Sequence, residues 1–424
     1  MQALAHYQIS KSAHYHIHMK LLHTADWHLG KWLDNFSRLQ EQKEVLQEIC
    51  EIAEAENVDA VLVAGDLYDT FNPSAESQEL LYKTLRRLGS NGKRAVIVIA
   101  GNHDQPERIE APDHLAREHG IVFIGYPNTT VPITSGSEFC ITKSEAGFIE
   151  IKLQNCKEPL RLLVTPYANE FRLKTYLGAD NPEEELRTVL QQKWQQLADK
   201  YCDSHGINIL CAHLFFMKKG TTPPEEPDDE RPILHIGGAQ AIYSENIPGQ
   251  IQYAALGHLH RYQVIDTVPC PVVYSSSPLA YSFAEASQQK YVVIIESTIN
   301  EPLQFRKTAL TKGKQLLRKR FENMDEAIIW LNENPETLVE LTIVADEFLA
   351  VKDRKRLNDA HNGIVNIIPE IKNKAFTLNN SGSIDLNKSV EQLFLEYFQH
   401  SKGQQPDEAV MQLFKEVLGT TEEA

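Results

Sequence analysis

The sequence predicts a layered α/β fold, followed by a small α+β domain and a pair of tail helices. Three patterns predict it. Short apolar runs recur between residues 19 and 296, helical periodicity fills the gaps between the first of them, and two amphipathic stretches follow residue 385. The runs are Lys20–Thr24, Ala60–Ala64, Ala95–Ala100, Leu160–Thr165, Ile207–Ala212, Tyr253–Leu256 and Tyr291–Ile295. They are rich in Val, Ile and Leu, as strands buried on both faces should be. Between them, Arg38–Asn57 places Val45, Ile49, Ile52 and Ala53 at helical spacing, and Ser74–Leu88 follows a proline. Residues Leu303–Lys374 read as strand, helix (Met324–Asn334), strand (Leu338–Ala345), helix (Lys352–His361) and strand (Ile364–Pro369). Asn379–Ser383 reads as a linker. In the tail, Val390, Leu393, Phe394, Tyr397 and Phe398 fall at i, i+3, i+4, i+7 and i+8. Val410, Leu413, Phe414, Val417 and Leu418 repeat those offsets beyond a break at Lys402–Pro406, so each helix carries one apolar stripe. Residues 1–18 hold several His and no apolar core, and are expected to be an extension outside the fold. The expected domains are thus 19–300, 301–376 and 385–424, with a linker at 377–384.

Composition narrows the function. With 42% hydrophobic and 24% charged residues, the chain of 424 is neither disordered nor fibrous. No apolar run reaches the roughly 18 residues of a membrane span. Lys+Arg total 42 against 58 Asp+Glu, a net charge of −16. A simple polyanion coat is therefore excluded, and any nucleic-acid contact must come from local basic patches or bound metal. Six Cys without a C-x-x-C pair point to a reducing compartment, and a cytoplasmic location is expected.

Five motifs follow predicted strands: Asp26-Trp27-His28, Gly65-Asp66-Leu67-Tyr68-Asp69, Gly101-Asn102-His103-Asp104, Ala212-His213 and Gly257-His258-Leu259-His260. Ligands of open α/β sheets bind beyond the carboxyl ends of the strands, so all five are expected on one edge. Carboxylate with imidazole suits Mn²⁺, Fe²⁺ or Zn²⁺. So many donors exceed the needs of one ion. Two ions about 3.5–4 Å apart, bridged by a carboxylate, would use them all and would suit displacement at phosphorus.

The order D-x-H, G-D-x-x-D, G-N-H-D, a lone His and G-H-x-H resembles the calcineurin-like metallophosphoesterase superfamily. The stretches 23–31 (HTADWHLGK), 65–74, 100–108 (AGNHDQPER) and 257–263 (GHLHRYQ) resemble more closely the family of bacterial SbcD nuclease subunits. The resemblance runs from Met19 to the C-terminus. It implies a four-layer sandwich of β-sheets flanked by helices, with a capping α+β domain and a C-terminal helical pair. It implies two divalent ions, expected as Mn²⁺: Asp26, His28 and His260 would hold one, Asn102, His213 and His258 the other, and Asp66 would bridge them. His103 would be the general acid, with an Asp69–His103 dyad as the expectation. The implied activity is double-strand 3′–5′ exonuclease and single-strand or hairpin endonuclease action on DNA, in repair, replication and recombination. The implied partners are an SbcC-type coiled-coil ATPase, docked on the tail helices, and a second copy of the chain within a heterotetramer, with no membrane.

Weaker features complete the reading. Arg306–Arg320 holds seven basic residues and no acid, and Lys312, Lys314, Arg318, Lys319 and Arg320 are candidates for phosphate-backbone contact. Lys218–Pro232 reads as a polar surface loop near His213. Trp27 and Trp32 are expected to pack. Val390, Phe394, Tyr397, Leu413 and Phe414 are candidates for partner docking. The alternative function is a stand-alone metallophosphoesterase acting on small phosphodiesters or phosphomonoesters. A small-molecule hydrolase has no need of the two C-terminal modules, and the full ligand set disfavours a degenerate binding subunit.

Overall fold

A computed structural model describes residues 18–136, 138–177, 182–221, 241–298, 301–346, 349–371, 390–402, 405–407 and 410–414. The leader up to residue 17, the loop from 222 to 232, the linker at 377–384, and Val417 and Leu418 lie outside the described residues.

Continuous apolar strands bury both faces, and here they do so in two sheets. The first runs Gln304–Ala309, Tyr291–Thr298, His18–Thr24, Ala60–Ala64, Ala95–Ile99, Ile121–Ile124. Its last four strands are parallel, and Tyr291–Thr298 joins them antiparallel. The second has seven strands in the order Gln263–Asp266, Val272–Tyr274, Tyr253–Gly257, Ile207–His213, Leu160–Thr165, Phe148–Leu153, Phe139–Glu145. Successive side chains of each strand serve opposite layers. Leu21, Leu62 and Ile97 share one core with Leu162, Ile209 and Tyr253 of the other sheet. Leu22, Val61 and Val96 face away, onto Val45, Ile49 and Leu81 of helices Leu39–Ala55 and Ala75–Leu88. Leu210 and Ala212 face Leu190 and Trp194 of helix Pro182–Tyr201. The result is helix, sheet, sheet, helix.

The seven expected strands and the first two helices form within a few residues of their expected bounds. Ser74 accepts from the Ser77 amide as the N-cap of the second helix. The strands Phe139–Glu145 and Phe148–Leu153 and the helix Pro182–Tyr201 add to the expected elements. The strand Gln304–Ala309, placed in the small domain by the sequence, instead pairs with Tyr291–Thr298 at the edge of the first sheet.

The described chain divides into two compact units, Met1–Ile343 with Val351–Ile368, and Val344–Ala350 with Pro369–Ala424. The small domain contributes a three-stranded sheet, Gln315–Phe321, Thr337–Ala345, Ile364–Ile371, with helices Met324–Glu333 and Val351–Ala360. Leu316 and Leu338 of this sheet share a cluster with Leu33 and Phe283. In the second unit, helix Val390–Lys402 and residues 410–414 bring Phe394 and Phe414 into a stack at 3.8 Å between ring centres.

Candidate metal centre

All five motifs leave the carboxyl ends of parallel strands, three from the first sheet and two from the second. The turns they make are tight. Asp26, His28, Asp66 and His258 all have positive φ, at 55°, 44°, 49° and 111°, a region non-glycine residues seldom occupy. Such strain gathers where structure is fixed for function. The glycines allow close approach: a Cβ on Gly65 would lie 2.2 Å from His213 Nδ1, and one on Gly101 would lie 2.1 Å from Asp66 Oδ1.

Three groups of donors converge among the described residues. Asp26, His28 and His260 bring ligand atoms within 4.8 Å of one another, and so do Asp66, His213 and His258, and, at the rim, His28, Asp69 and His103. In the first group, the Nε2 atoms of His28 and His260 face each other at 3.0 Å. In the second, Asn102 Oδ1 stands 2.9 Å from His213 Nε2 and 3.1 Å from His258 Nδ1. Asp66 lies between the groups, its Oδ2 3.3 Å from His213 Nε2 and 3.5 Å from His28 Nε2.

The tautomers follow from the partners. His213 Nδ1 lies 2.8 Å from the Ala64 carbonyl, which can only accept, so Nδ1 carries the proton. Were the ring neutral, its Nε2 would turn a lone pair toward the amide oxygen of Asn102. Two acceptors would then face one another, and only a proton or a cation between them relieves the repulsion. His260 Nδ1 donates likewise to Glu285 Oε1 at 3.1 Å, turning its Nε2 inward. Within the same cage Asp26 Oδ2 is buried with no hydrogen-bond partner. These acceptors, without thiolates, fit divalent cations of the Mn²⁺, Fe²⁺ or Zn²⁺ class.

Charge is concentrated here. Burial pushes the Asp26 carboxyl up to about 6, against the pull of His213 and His260. Burial acts the same way on Asp66, but His213 and His103 outweigh it and hold that carboxyl well below its ordinary value. His213 resists its own burial beside Asp66 and Asp26, and its pKa rises to about 9. His258, buried and beside His213, falls to about 3.

His103 stands at the rim. Its amide donates to Asp66 Oδ1 at 2.9 Å, and its Nδ1 donates to the main-chain carbonyl of Asp69, also at 2.9 Å. The expected contact between Asp69 and His103 is therefore made by the peptide group. The Asp69 carboxylate instead meets Lys31 Nζ at 2.8 Å and faces His28 Nδ1 at 3.6 Å. A side chain three residues past a tight turn has several neighbours in reach, and spacing alone does not choose among them.

Four further residues brace the site. Asp104 accepts from the amides of Gly101, Leu67 and Tyr68, tying the second motif to the third. Arg172 donates to the carbonyls of Gly101 and Asp104 at 2.7 Å each. Gln42 accepts from the Gly30 amide and donates to the His28 carbonyl at 2.7 Å. Glu285 is buried with Lys290, which also donates to the His260 carbonyl. Asp104 carried a signal in its motif; the other three carried none.

The weaker candidates fare unevenly. Trp27 is buried as expected, whereas Trp32 is exposed. The acid-free run is answered by acids from elsewhere: Arg318 meets Glu340 at 2.7 Å, Arg320 meets Glu322 at 3.2 Å, and Lys314 approaches Glu336 at 3.8 Å. Lys319 lies over the Trp330 ring, and the Lys312 amide donates to Glu48. In the tail, Phe394 and Phe414 face each other, Tyr397 and Leu413 are exposed, and the side chain of Val390 lies outside the described residues.

Residues 19–262 match the calcineurin-like phosphoesterase family. The chain is 35% identical to the D subunit of nuclease SbcCD from Bacillus subtilis over 416 residues, which is 96% of this chain and 99% of that protein. The corresponding protein of Rhodobacter capsulatus is 32% identical over 66% of each chain. That of Staphylococcus epidermidis is 31% identical over 67% of this chain and 68% of its own. No helix among the described residues is long and apolar enough to cross a membrane.

Proposed function

The chain belongs to the calcineurin-like phosphoesterase family and, within it, to the SbcD nuclease subunits, and on that premise we propose that it is the metal-dependent DNA nuclease subunit of an SbcCD-type complex. The observation that carries this reading is the buried cage itself, in which imidazole, carboxylate and amide acceptors from five strand ends face one another. Asp26, His28 and His260 would hold one divalent ion and Asn102, His213 and His258 a second, with Asp66 shared. Mn²⁺ is the proposed ion. Such ions neutralise phosphate oxygens and make a water acidic enough to attack phosphorus near neutral pH.

The chain's own groups do the rest. Asp66 and Asp26 supply negative charge that the ions balance. His103 holds a proton on Nδ1 against the Asp69 carbonyl, so the proton it would give as a general acid is one carried on Nε2. From there it passes to the oxygen that leaves phosphorus as water adds and the phosphate–oxygen bond breaks. Arg172, Asp104 and Gln42 position the loops that carry Asn102, His103 and His28. The proposed substrates are duplex ends, single strands and hairpins.

The partner is proposed to be an SbcC-type ATPase that docks on the tail through Val390, Phe394, Tyr397, Leu413 and Phe414, with two such chains in a heterotetramer in the cytoplasm. Removing residues 385–424 should abolish copurification with that ATPase, and a complex that persists would refute the docking. The basic face of the small domain is proposed to touch phosphates, weakly, because its acids already answer several charges. Neutralising Lys312 and Lys319 should flatten the salt dependence of DNA binding by about one unit of slope for each phosphate left without its lysine.

The test of the main reading is cleavage with Mn²⁺ of linear duplex DNA and of a chromogenic phosphodiester. Both should be cut, and both should stop on chelation. Cleavage of the small ester alone would favour a stand-alone phosphoesterase. Similarity to the Bacillus subtilis protein over nearly the whole chain, small domain and tail included, favours the nuclease.

A further inference from the structure

Two large aromatic side chains are exposed on the segments that lead out of the first two motifs. Trp32 is 58% exposed and Phe71 is 56% exposed, whereas Trp27 and Trp194 are buried. The segments that carry them run side by side. The Leu29 amide donates to the Leu67 carbonyl at 2.9 Å, and the Asp69 amide donates to the Leu29 carbonyl at 3.3 Å. Lys31 Nζ and Asp69 Oδ1 then close the pair at 2.8 Å. Trp32 is the residue after Lys31, and Phe71 is two beyond Asp69. Strand alternation explains the exposure of Trp32: its neighbour Leu33 is buried against Phe283, Leu316 and Leu338, so Trp32 takes the opposite, open face. The same two segments supply His28 to the cage and the Asp69 carbonyl to His103. Both exposed rings thus ride on the two paired segments that carry His28 and the Asp69 carbonyl to the site.

We propose that Trp32 and Phe71 form a stacking platform for an unpaired nucleobase adjoining the scissile phosphate. The proposal rests on the nuclease reading and adds a specificity to it. Phosphate at the cage places the attached sugar and base at its rim. Every base has a π-face, so such a platform is indifferent to sequence. A base inside a duplex has both faces covered by its neighbours, whereas a base at a frayed end, in a single strand or in a hairpin loop does not. The platform therefore favours these substrates, and a simple phosphate ester gains little from it.

The test uses the full chain with Mn²⁺ and a single-stranded oligonucleotide carrying 2-aminopurine beside the phosphate that is cut. Stopped-flow fluorescence is read before turnover. Stacking should quench the probe in the wild type. In Trp32→Leu/Phe71→Leu, which keeps apolar side chains but removes the flat faces, the quench should vanish. Single-strand cleavage should fall roughly fivefold to a hundredfold, the loss expected for one stacked base. Trp32→Phe should restore most of both. Metal stoichiometry, read by titration, should stay at two and certifies the fold of the variant. A quench that persists in the leucine variant, or single-strand cleavage within twofold of wild type, overturns the platform. A wild-type chain that cuts a chromogenic phosphodiester but neither binds nor cuts the oligonucleotide overturns the nuclease reading first, and the platform with it.

Discussion

The two halves of the proposed metal cage are held by different means. Asn102, His213 and His258 are held through main-chain groups, two of them met by the side chains of Asp26 and Arg172. His213 ends a strand and donates to the Ala64 carbonyl of the facing sheet. The His258 amide donates to Asp26 Oδ1 at 2.9 Å, and the Asn102 loop is held through its own carbonyls. His28 and His260 are braced by side chains instead. Glu285 takes His260 Nδ1 and is answered by Lys290, while Asp69 faces His28 and is answered by Lys31. Strand register sets the bracing of His213, whereas that of His258 and of the Asn102 loop also runs through the side chains of Asp26 and Arg172. The bracing of His28 and His260 depends on ionised groups brought in from outside the ligand positions. Burial alone would raise the Glu285 carboxyl, yet Lys290 and His260 hold it well below its ordinary value. The ion proposed at His28 and His260 is therefore the one whose affinity outer carboxylates can tune.

The harshest way to break this division is at Asp66, the residue both halves are proposed to share. Asp66→Asn should reduce metal stoichiometry below two and lower DNA cleavage on the order of a thousandfold, the scale that goes with a principal electrostatic stabiliser. Two tightly bound ions in this variant would remove Asp66 from the bridge. Next is His103→Ala, which belongs to neither half. Turnover should drop about a hundredfold to ten-thousandfold, as for a general acid, and both ions should stay bound by calorimetry. Full activity would end the acid assignment.

Glu285→Gln sharpens the comparison most directly. Gln can still accept from His260 but leaves Lys290 without its partner's charge. One ion should bind about 10- to 100-fold more weakly, as when an outer partner of a metal-ligating His is changed, and the other should be unaffected. Equal weakening of both ions would show that the halves are not separately braced. The smallest effect lies beneath the cage, where His23 joins the two sheets through the Leu256 carbonyl at 3.1 Å and the Tyr253 hydroxyl at 3.2 Å. Burial lowers its pKa to about 3. The unfolded chain binds this proton more tightly, so the contribution is fully present above about pH 6.5 and is lost as pH falls toward 3. His23→Gln should flatten the acid limb of stability by up to a few kcal/mol, read from denaturation midpoints between pH 7 and 4. An unchanged slope would place the acid sensitivity elsewhere.

The cage is legible in the sequence because each proposed ligand closely follows an apolar strand, and parallel strands deliver their carboxyl ends to one edge. The bracing is not. Glu285 meets His260 across 25 residues, and Arg172 meets Gly101 across 71, with no period or motif joining them. Phe139–Glu145 gives little strand signal because it mixes Cys, Thr, Lys and Ser with its few apolar residues at the edge of a sheet. The basic run looks unopposed in the sequence because Glu340 and Glu336 lie on or near the next strand, some 20 residues further along, and come beside it only when the sheet forms.

The central claim is tested most directly by anomalous scattering from crystals of the chain soaked in Mn²⁺. The account predicts two peaks, one bounded by Asp26, His28 and His260, the other by Asn102, His213 and His258, with Asp66 touching both. A single peak, or two that leave Asp66 untouched, would contradict it.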